Sequence, residues 1–177
     1  NNKILSSNNY FISQMFVLKT DVHIANAIRR TALSHVPIYA IHIVTIKEND
    51  SIYEDEFITH RLGLIPIICE DSKCSEISIN VEGPKMIYSG DIKFSGNSRC
   101  CDNDILIIEL KENEKLNLIG MTMEGIGKDH SKWSPCCPIT YRVLNKNEIE
   151  LGIETTGSLT PEQVLKSSIK LLIDKLD

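Results

Sequence analysis

The sequence is poor in aromatic residues and in long apolar runs, and these shortages exclude several classes of protein. Aromatic residues make up 6% of the 177 residues, and Trp133 is the single tryptophan. The longest apolar run, Leu62 to Cys69, contains Pro66 and is far shorter than the ~20 residues of a membrane-spanning helix. The chain does not open with a basic segment followed by an apolar one, so no secretory signal is recognised. We therefore expect no membrane partner.

Positive charge is also in short supply. Lysine and arginine number 19 against 24 aspartates and glutamates, which gives a formal net charge of -5 at pH 7. A protein that grips a nucleic-acid backbone by itself usually shows the opposite balance. We therefore expect no direct binding of nucleic acid, although a local basic patch is compatible with this composition.

Cysteine pairs with the Cys-x-x-Cys spacing are missing, although six cysteines are present: Cys69, Cys74, Cys100, Cys101, Cys136 and Cys137. Structural zinc sites favour two residues between paired cysteines, and thiol redox catalysis needs a similar Cys-x-x-Cys motif. Here one pair is separated by four residues and the others are adjacent doublets. We therefore expect no metal and no cofactor, and interpret the cysteines as reduced, mostly buried apolar side chains. A zinc site is the less favoured alternative.

The segment from Gly125 to Pro135, GIGKDHSKWSP, combines glycines, lysines, a histidine and the tryptophan. It is not a phosphate-binding P-loop, because Thr122 stands where the first glycine belongs and Asp129 where the hydroxyl belongs. It is not a dinucleotide fingerprint either, because His130 replaces the third glycine. Two interpretations stay open: a loop that recognises a partner, and a turn with a packed tryptophan.

Hydrophobic periodicity predicts an α+β fold. The C-terminal helix has the strongest signal, because Thr160 and Gln163 form a capping box around Pro161 at the first helical position. An earlier helix begins after Thr20 or Asp21 and ends near His35, before Pro37. A third spans about 53–62, with Gly63 as a left-handed C-terminal cap. Strands are predicted over 10–19, 38–47, 75–81, 105–110, 116–123, 139–144 and 148–155.

The C-terminal helix carries an unusually wide apolar stripe. It is formed by Leu165, Ile169, Leu172 and Leu176, with Ile173 beside them. A helix that lies on its own sheet needs a narrower stripe. Part of this stripe could face a partner subunit, and the alternative is that all of it belongs to the core of the chain.

Four motifs follow one another along the chain: ANAIRR (25–30), DEFITHRLGLIPI (55–67), GIGKDHSKWSP (125–135) and ETTGSLTPEQ (154–163). In this order they resemble motifs of the α-like assembly subunits of multisubunit RNA polymerases. Together with their flanks they cover most of the chain. The resemblance implies a discontinuous dimerisation domain, an antiparallel sheet with helices over 1–66 and 138–177, interrupted by a β-rich insert domain over 67–137.

Within this family, the segments DILIIEL (104–110), GIGKDH, YRVL (141–144) and ETTG look most like the subunit shared by RNA polymerases I and III. The resemblance implies a non-catalytic subunit that heterodimerises with a smaller α-like subunit and nucleates assembly with the second-largest subunit. Small shared polymerase subunits are further expected partners. The location would be the nucleus, including the nucleolus, in a eukaryote and the cytoplasm otherwise. The homologous subunit of RNA polymerase II, or of an archaeal or viral polymerase, is the alternative.

Two sets of interface residues follow from the resemblance. The first set should contact the smaller α-like subunit: Ile28, Ala32, Leu165, Ile169, Leu172, Ile173 and Leu176. The second should contact the second-largest subunit: Arg29, Arg30, Lys128, His130, Lys132 and Trp133, with Trp133 as a large anchor and the arginines as bidentate donors.

A stand-alone hydrolase is an alternative from another class. Glu56 and His60 lie four residues apart on a predicted helix, but the His-Glu-x-x-His order of zinc proteases is absent. Asp129 and His130 could act as an acid–base pair, but no motif places a serine or cysteine nucleophile beside them. We therefore assign no catalytic residue and expect the purified subunit to be inert.

Overall fold

The computed structural model describes residues 3–7, 12–71 and 73–175, and the chain forms two compact units. The first is discontinuous and combines Asn1–Ile38 with Gly125–Asp177, while the second is the intervening Tyr39–Glu124. Antiparallel sheets and a few helices confirm the predicted α+β class. Within the described residues, no helix has the length and apolar character that crossing a membrane requires.

The described elements follow the chain in a mixed order of strands and helices. They are β1 (Lys3–Ser7), β2 (Ile12–Leu18), α1 (Val22–Ser34), β3 (Ile38–Asn49), α2 (Asp55–Gly63), β4 (Ile67–Cys69), β5 (Glu76–Glu82), β6 (Lys85–Tyr88), β7 (Lys93–Phe94), β8 (Ser98–Cys100), β9 (Leu106–Leu110), β10 (Lys115–Gly125), β11 (Cys136–Asn145), β12 (Glu148–Thr155) and α3 (Pro161–Ile173).

The discontinuous unit is built on a sheet with the strand order β1-β2-β12-β11. Leu151 on the central strand β12 lies opposite Phe16 of β2 on one side and Tyr141 of β11 on the other. Because side chains alternate across a strand, Ile149, Leu151 and Ile153 share one face, and all three are fully buried. The helices α1 and α3 pack together and supply the rest of this core. Its buried members are Phe16, Ile28, Ala32, Cys136, Ile139, Leu151, Ile153, Val164 and Leu165.

Side-chain caps begin both helices of this unit, as the sequence predicts. Asp21 Oδ1 accepts hydrogen bonds from the backbone N–H groups of His23 and Ile24, each at 2.9 Å. Thr160 Oγ1 accepts from the Gln163 N–H at 3.3 Å, and Gln163 Oε1 accepts from the Thr160 N–H at 2.8 Å. These bonds satisfy N–H groups that have no partner within a helix.

The middle unit contains the sheet β3-β10-β5-β7, the strand pairs β4-β8 and β6-β9, and the helix α2. Its core is rich in isoleucine: Ile41, Ile58, Ile77 and Ile79 are buried together with Leu118. In α2 the acidic side chains occupy the first turn and His60 and Arg61 the last, which is the favourable arrangement for the helix dipole.

The borders of the compact units differ from the predicted domain borders. The prediction placed β3 and α2 in the dimerisation domain, residues 1–66, and Trp133 in the insert, residues 67–137. In the structure Ile41, Ile58 and Leu62 are buried in the core of the middle unit, whereas Trp133 belongs to the discontinuous unit. The cause is that β3 and α2 bury their apolar faces against strands of the middle segment. The division by role in the family stays a prediction.

Gly63 does not cap α2 in the left-handed conformation that the sequence suggested. Gly63 is the last residue of the helix. The backbone of Leu64, which follows it, is in the right-handed helical region, and its N–H donates to the carbonyls of Arg61 and Leu62. The glycine with positive φ among the described residues is Gly157, at 104°, in the turn before α3. The final turn of α2 therefore closes without the left-handed backbone conformation that favours glycine.

Candidate partner-binding surfaces

The glycine- and lysine-rich loop is built onto the C-terminal end of α1. The Lys128 N–H donates to the Ser34 carbonyl at 2.9 Å, and Ser134 Oγ donates to the Leu33 carbonyl at 3.4 Å. Gly127 approaches Leu33 so closely that a Cβ atom at position 127 would collide with the Leu33 carbonyl oxygen. The last carbonyls of a helix lack partners within it. The loop therefore caps α1 and does not cradle a phosphate.

Trp133 anchors this loop from inside the unit. Its side chain is 8% exposed, and its ring lies directly on the backbone of Gly125, where a Cβ atom would collide with the indole. The family resemblance placed Trp133 at a contact with the second-largest subunit, whereas the structure buries it within the chain, as the alternative of a turn with a packed tryptophan implies. The first glycine of the motif is thus explained by the tryptophan that lies against it.

Two other predicted contact residues surround the indole. Lys132 Nζ lies 4.6 Å from the ring centroid, which is a cation–π geometry, and burial lowers the pKa of Lys132. His130 meets the indole edge-on at 6.3 Å between centroids, while its Nδ1 accepts the Lys132 N–H at 3.0 Å. Both side chains are therefore held by the loop, and Lys128 is an exposed cation of this loop.

A basic surface lies at the C-terminal end of α1. Burial lowers the pKa of His35, and the positive charges of Lys175 and Lys128 lower it further. The exposed Arg30 lies four residues before Ser34, about 6 Å along the helix axis. We refer to Arg30, Lys128 and Lys175 as the basic end of α1.

Arg29, in contrast, is partly engaged within its own helix. It is half-buried, and its Nε and Nη2 donate to Asn26 Oδ1 at 3.1 and 3.0 Å. This fixes the guanidinium in one orientation. Of the two predicted arginines, Arg30 is therefore the more available for a partner.

The predicted dimer face divides into buried and exposed members. Ile28, Ala32 and Leu165 are 5%, 0% and 8% exposed and belong to the core of the discontinuous unit, so they do not present a surface as predicted. The cause is that α1 and α3 bury these residues against each other and against the sheet. Leu172 is half-buried against the same core. Ile169 and Ile173 are exposed, and Leu176 lies outside the described residues.

Further exposed apolar side chains of the same unit were not predicted as interface residues. Ile24 on α1 and Val143 on β11 are more than half exposed, and Tyr141 is 39% exposed. Tyr141 and Val143 pair with Leu151 and Ile149, so they lie on the sheet face that carries the helices. The helices thus leave part of this face uncovered at the edge strand. We name Ile24, Tyr141, Val143, Ile169 and Ile173 the exposed apolar set.

The described residues do not bring together the metal ligands that a zinc-dependent form of the hydrolase alternative would need. No group of three or more His, Cys, Asp or Glu side chains among them could hold a metal ion. Burial raises the pKa of the Cys100 and Cys136 thiols to about 12, so both are neutral at physiological pH and poor nucleophiles or metal ligands. Glu56 and His60 lie exposed on α2.

Fold and surface together define an α+β chain whose discontinuous unit leaves several large apolar side chains exposed. A family model described as the RNA polymerase Rpb3/Rpb11 dimerisation domain matches residues 14–176. The chain is 37% identical over 166 residues to the DNA-directed RNA polymerase subunit Rpo3 of Methanocaldococcus jannaschii, covering 92% of this chain and 86% of that protein. The chain therefore belongs to this family of α-like RNA polymerase subunits, which confirms the resemblance drawn from its motifs.

Eukaryotic relatives are matched over a smaller share of their length. The DNA-directed RNA polymerase II subunit rpb3 of Dictyostelium discoideum is 34% identical, with 78% of this chain and 58% of that protein covered. The subunit 3B of RNA polymerases IV and V of Arabidopsis thaliana is 34% identical, with 82% and 57% covered. The chain thus spans little more than half of these two relatives. Their names favour the alternative subtype over the predicted polymerase I and III subtype.

Proposed function

We propose that the chain is a non-catalytic assembly subunit of an archaeal or polymerase II type RNA polymerase, and that it heterodimerises with a smaller α-like subunit. The observation that carries this proposal is the exposed apolar set on α1, α3 and the edge strand β11 of the discontinuous unit. Exposed apolar patches on a folded protein mark interaction sites. The description of the family as a dimerisation domain supports the same role. The subunit would act in the nucleus of a eukaryote, or in the cytoplasm otherwise.

Burial of the exposed apolar set can account for a stable pairing. Ile24, Val143 and Ile173 are 52%, 54% and 54% exposed, and complete burial of an isoleucine is worth about 1.5–3 kcal/mol. Pairing with a partner that presents matching apolar helices would bury the half of each side chain that is still exposed and would gain the corresponding share of this free energy. An interface of this apolar character is typical of obligate pairs.

We further propose that the basic end of α1 docks onto an acidic region of the second-largest polymerase subunit. Arg30, Lys128 and Lys175 are exposed cations on a protein with a net charge of -5, so the basic end contrasts with the average charge of the chain. Charge complementarity gives orientation and a high association rate. Contacts with small shared polymerase subunits are expected elsewhere on the assembled platform.

Co-expression with a smaller α-like subunit tests the main proposal. We expect a one-to-one heterodimer that does not add nucleotides by itself and that contains no stoichiometric zinc by elemental analysis. The metal expectation rests on the cysteine spacing and on the absence of a ligand cluster among the described residues. An active, monodisperse monomer would overturn the proposal, and zinc lost on substitution of Cys69 and Cys74 would overturn the metal expectation.

The double substitution of Arg29 and Arg30 by alanine should separate assembly from dimerisation. We expect the heterodimer to form normally, because neither side chain belongs to the apolar core, and its binding to the second-largest subunit to weaken about tenfold through lost charge-assisted hydrogen bonds. Pull-down titration measures the affinity. Arg99→Ala is the matched control, since Arg99 is an exposed arginine of the other unit. Loss of the heterodimer itself would show that the arginines are structural.

A further inference from the structure

The middle unit carries a separate exposed surface around Arg61 of α2. Phe57, Leu64 and Leu106 are 44%, 50% and 40% exposed, although all three are large apolar side chains. Arg61 joins them, because its guanidinium lies 5.7 Å from the centroid of the Phe57 ring and its Nη2 donates to the Leu106 carbonyl. We name Phe57, Arg61, Leu64 and Leu106 the Arg61 patch.

The guanidinium is held in place from several sides. The Phe57 ring that supports it is itself stacked on Tyr53, with 5.3 Å between ring centroids. The Leu106 carbonyl fixes the other end of the planar group. A cation positioned on an aromatic face and by a carbonyl loses little side-chain entropy when it binds a partner, because its conformation is already selected.

This preorganised cation lacks an anionic partner among the described residues. Arg61 forms no ion pair there, and its buried Nε has no hydrogen-bond partner. The positions three and four residues away along the chain carry no acid: Phe57 and Ile58 lie in α2, and Leu64 and Ile65 follow its end. A buried charged donor without an acceptor is costly.

The space beside Arg61 fits a small polar group that is attached to methylene groups. Arg61 lines a cavity of about 140 Å³ together with Leu64, Ile65 and Ile105–Ile107. One water molecule takes up about 30 Å³ of liquid, so this volume admits a carboxylate with its adjoining methylene groups. The planar fork of an arginine matches a carboxylate in bidentate geometry.

We propose that the Arg61 patch docks another polymerase subunit, which inserts an aspartate or glutamate side chain toward Arg61 and covers the surrounding apolar side chains. This inference rests on the proposed function and adds a site to it. Arginine and aromatic residues are enriched in protein interfaces, and buried anchors of these types carry much of the binding energy.

Other occupants fit the patch less well. A second copy of this chain in a two-fold contact would bring two Arg61 side chains toward each other, because such an interface uses the same patch twice. A nucleic-acid backbone would meet the carboxylates of Glu54, Asp55 and Glu56 at the start of the same helix, and the apolar side chains would gain nothing from phosphates.

Site-specific photocrosslinking in the assembled polymerase tests this proposal. A benzoylphenylalanine at position 64 of the full chain should crosslink to another polymerase subunit, identified by mass spectrometry. Arg61→Gln should lower that crosslink yield at least about tenfold, since removal of one partner of a buried charge pair is strongly unfavourable. Phe57→Ala should lower it independently. A probe at the exposed Ile43, outside the patch, should be unaffected by either substitution.

The outcomes separate this inference from the proposed function. If the wild-type chain fails to pair with a smaller α-like subunit, the proposed function fails. If pairing is normal but the crosslink leads to a second copy of this chain or to nucleic acid, or if Arg61→Gln leaves its yield unchanged, the docking site is refuted. Unchanged thermal unfolding of the Arg61→Gln heterodimer shows that a lower yield does not arise from misfolding.

Discussion

Replacing Trp133 by alanine is expected to destabilise the discontinuous unit by about 3–5 kcal/mol, the usual cost of removing a buried tryptophan. The indole is 8% exposed and fixes a loop whose Lys128 N–H and Ser134 hydroxyl bind the final carbonyls of α1. Loss of the ring therefore removes apolar burial and loosens a helix cap. Denaturant unfolding of the purified heterodimer measures the change. Gly125→Ala should act in the same direction, because its new Cβ would collide with the ring.

Lys128→Ala is the control for this experiment. The Lys128 side chain is exposed, and the hydrogen bond to Ser34 uses its backbone, so we expect a change within about 0.5 kcal/mol. A Trp133→Ala heterodimer as stable as the wild type would refute the anchoring role. If polymerase containing Trp133→Ala assembles in normal yield but nucleotide addition collapses, the loop has a role in catalysis, contrary to the proposed function.

Local signals predicted much of the fold. The capping box at Thr160 and Gln163 and the cap at Asp21 placed two helices correctly, because side-chain acceptors three residues or fewer from a helix start act locally. The alternation of Ile149, Leu151 and Ile153 predicted the bounds of β12 that the structure shows. In a strand with one buried face, apolar side chains recur at every second residue. Four motifs in the family order led to the prediction of an antiparallel sheet with helices, which such local patterns do not supply.

Burial against particular neighbours could not be predicted from the sequence. Periodicity indicates which face of a helix is apolar but not which element covers it, so Ile28 and Leu165 were predicted at an interface although they lie in the core. For Trp133 the sequence left a partner contact and a packed turn both open, because its contact with Gly125 depends on how the loop folds back. The borders of the units depend on long-range packing of β3 and α2 that no local pattern reports.

The Arg61 patch shows that exposure, like burial, could not be predicted from local patterns. Phe57 and Arg61 stand four residues apart in the motif DEFITHRLGLIPI, and this spacing identified a helix without indicating that both side chains stay at the surface. The sequence also shows that no acidic residue stands three or four positions from Arg61. The unpaired Nε and the cavity next to it require the packing of β9 against α2.

Introducing aspartate at Ile169 or Ile173 should abolish the heterodimer with the smaller α-like subunit. These side chains are 37% and 54% exposed on α3, so the free chain should tolerate either change, whereas a paired chain would have to bury a carboxylate in an apolar contact. We expect each variant to weaken dimerisation at least about a hundredfold, which is ~2.7 kcal/mol. Analytical ultracentrifugation of co-expressed chains measures the loss.

A matched charge on another side of the same helix distinguishes this effect from damage to α3. Lys170 is exposed one position after Ile169, about 100° around the helix, so Lys170→Glu changes the charge without entering the apolar stripe. We expect it to leave dimerisation within about threefold, because an unfavourable charge near a helix C-terminus costs only 0.3–1 kcal/mol. Since α3 buries Val164, Leu165 and Ser168 inside the chain, far-ultraviolet circular dichroism should be unchanged in all three variants. Normal heterodimer yield from both aspartate variants would mean that the partner does not bind this side of α3, and the pairing would have to rest on α1 and β11 alone.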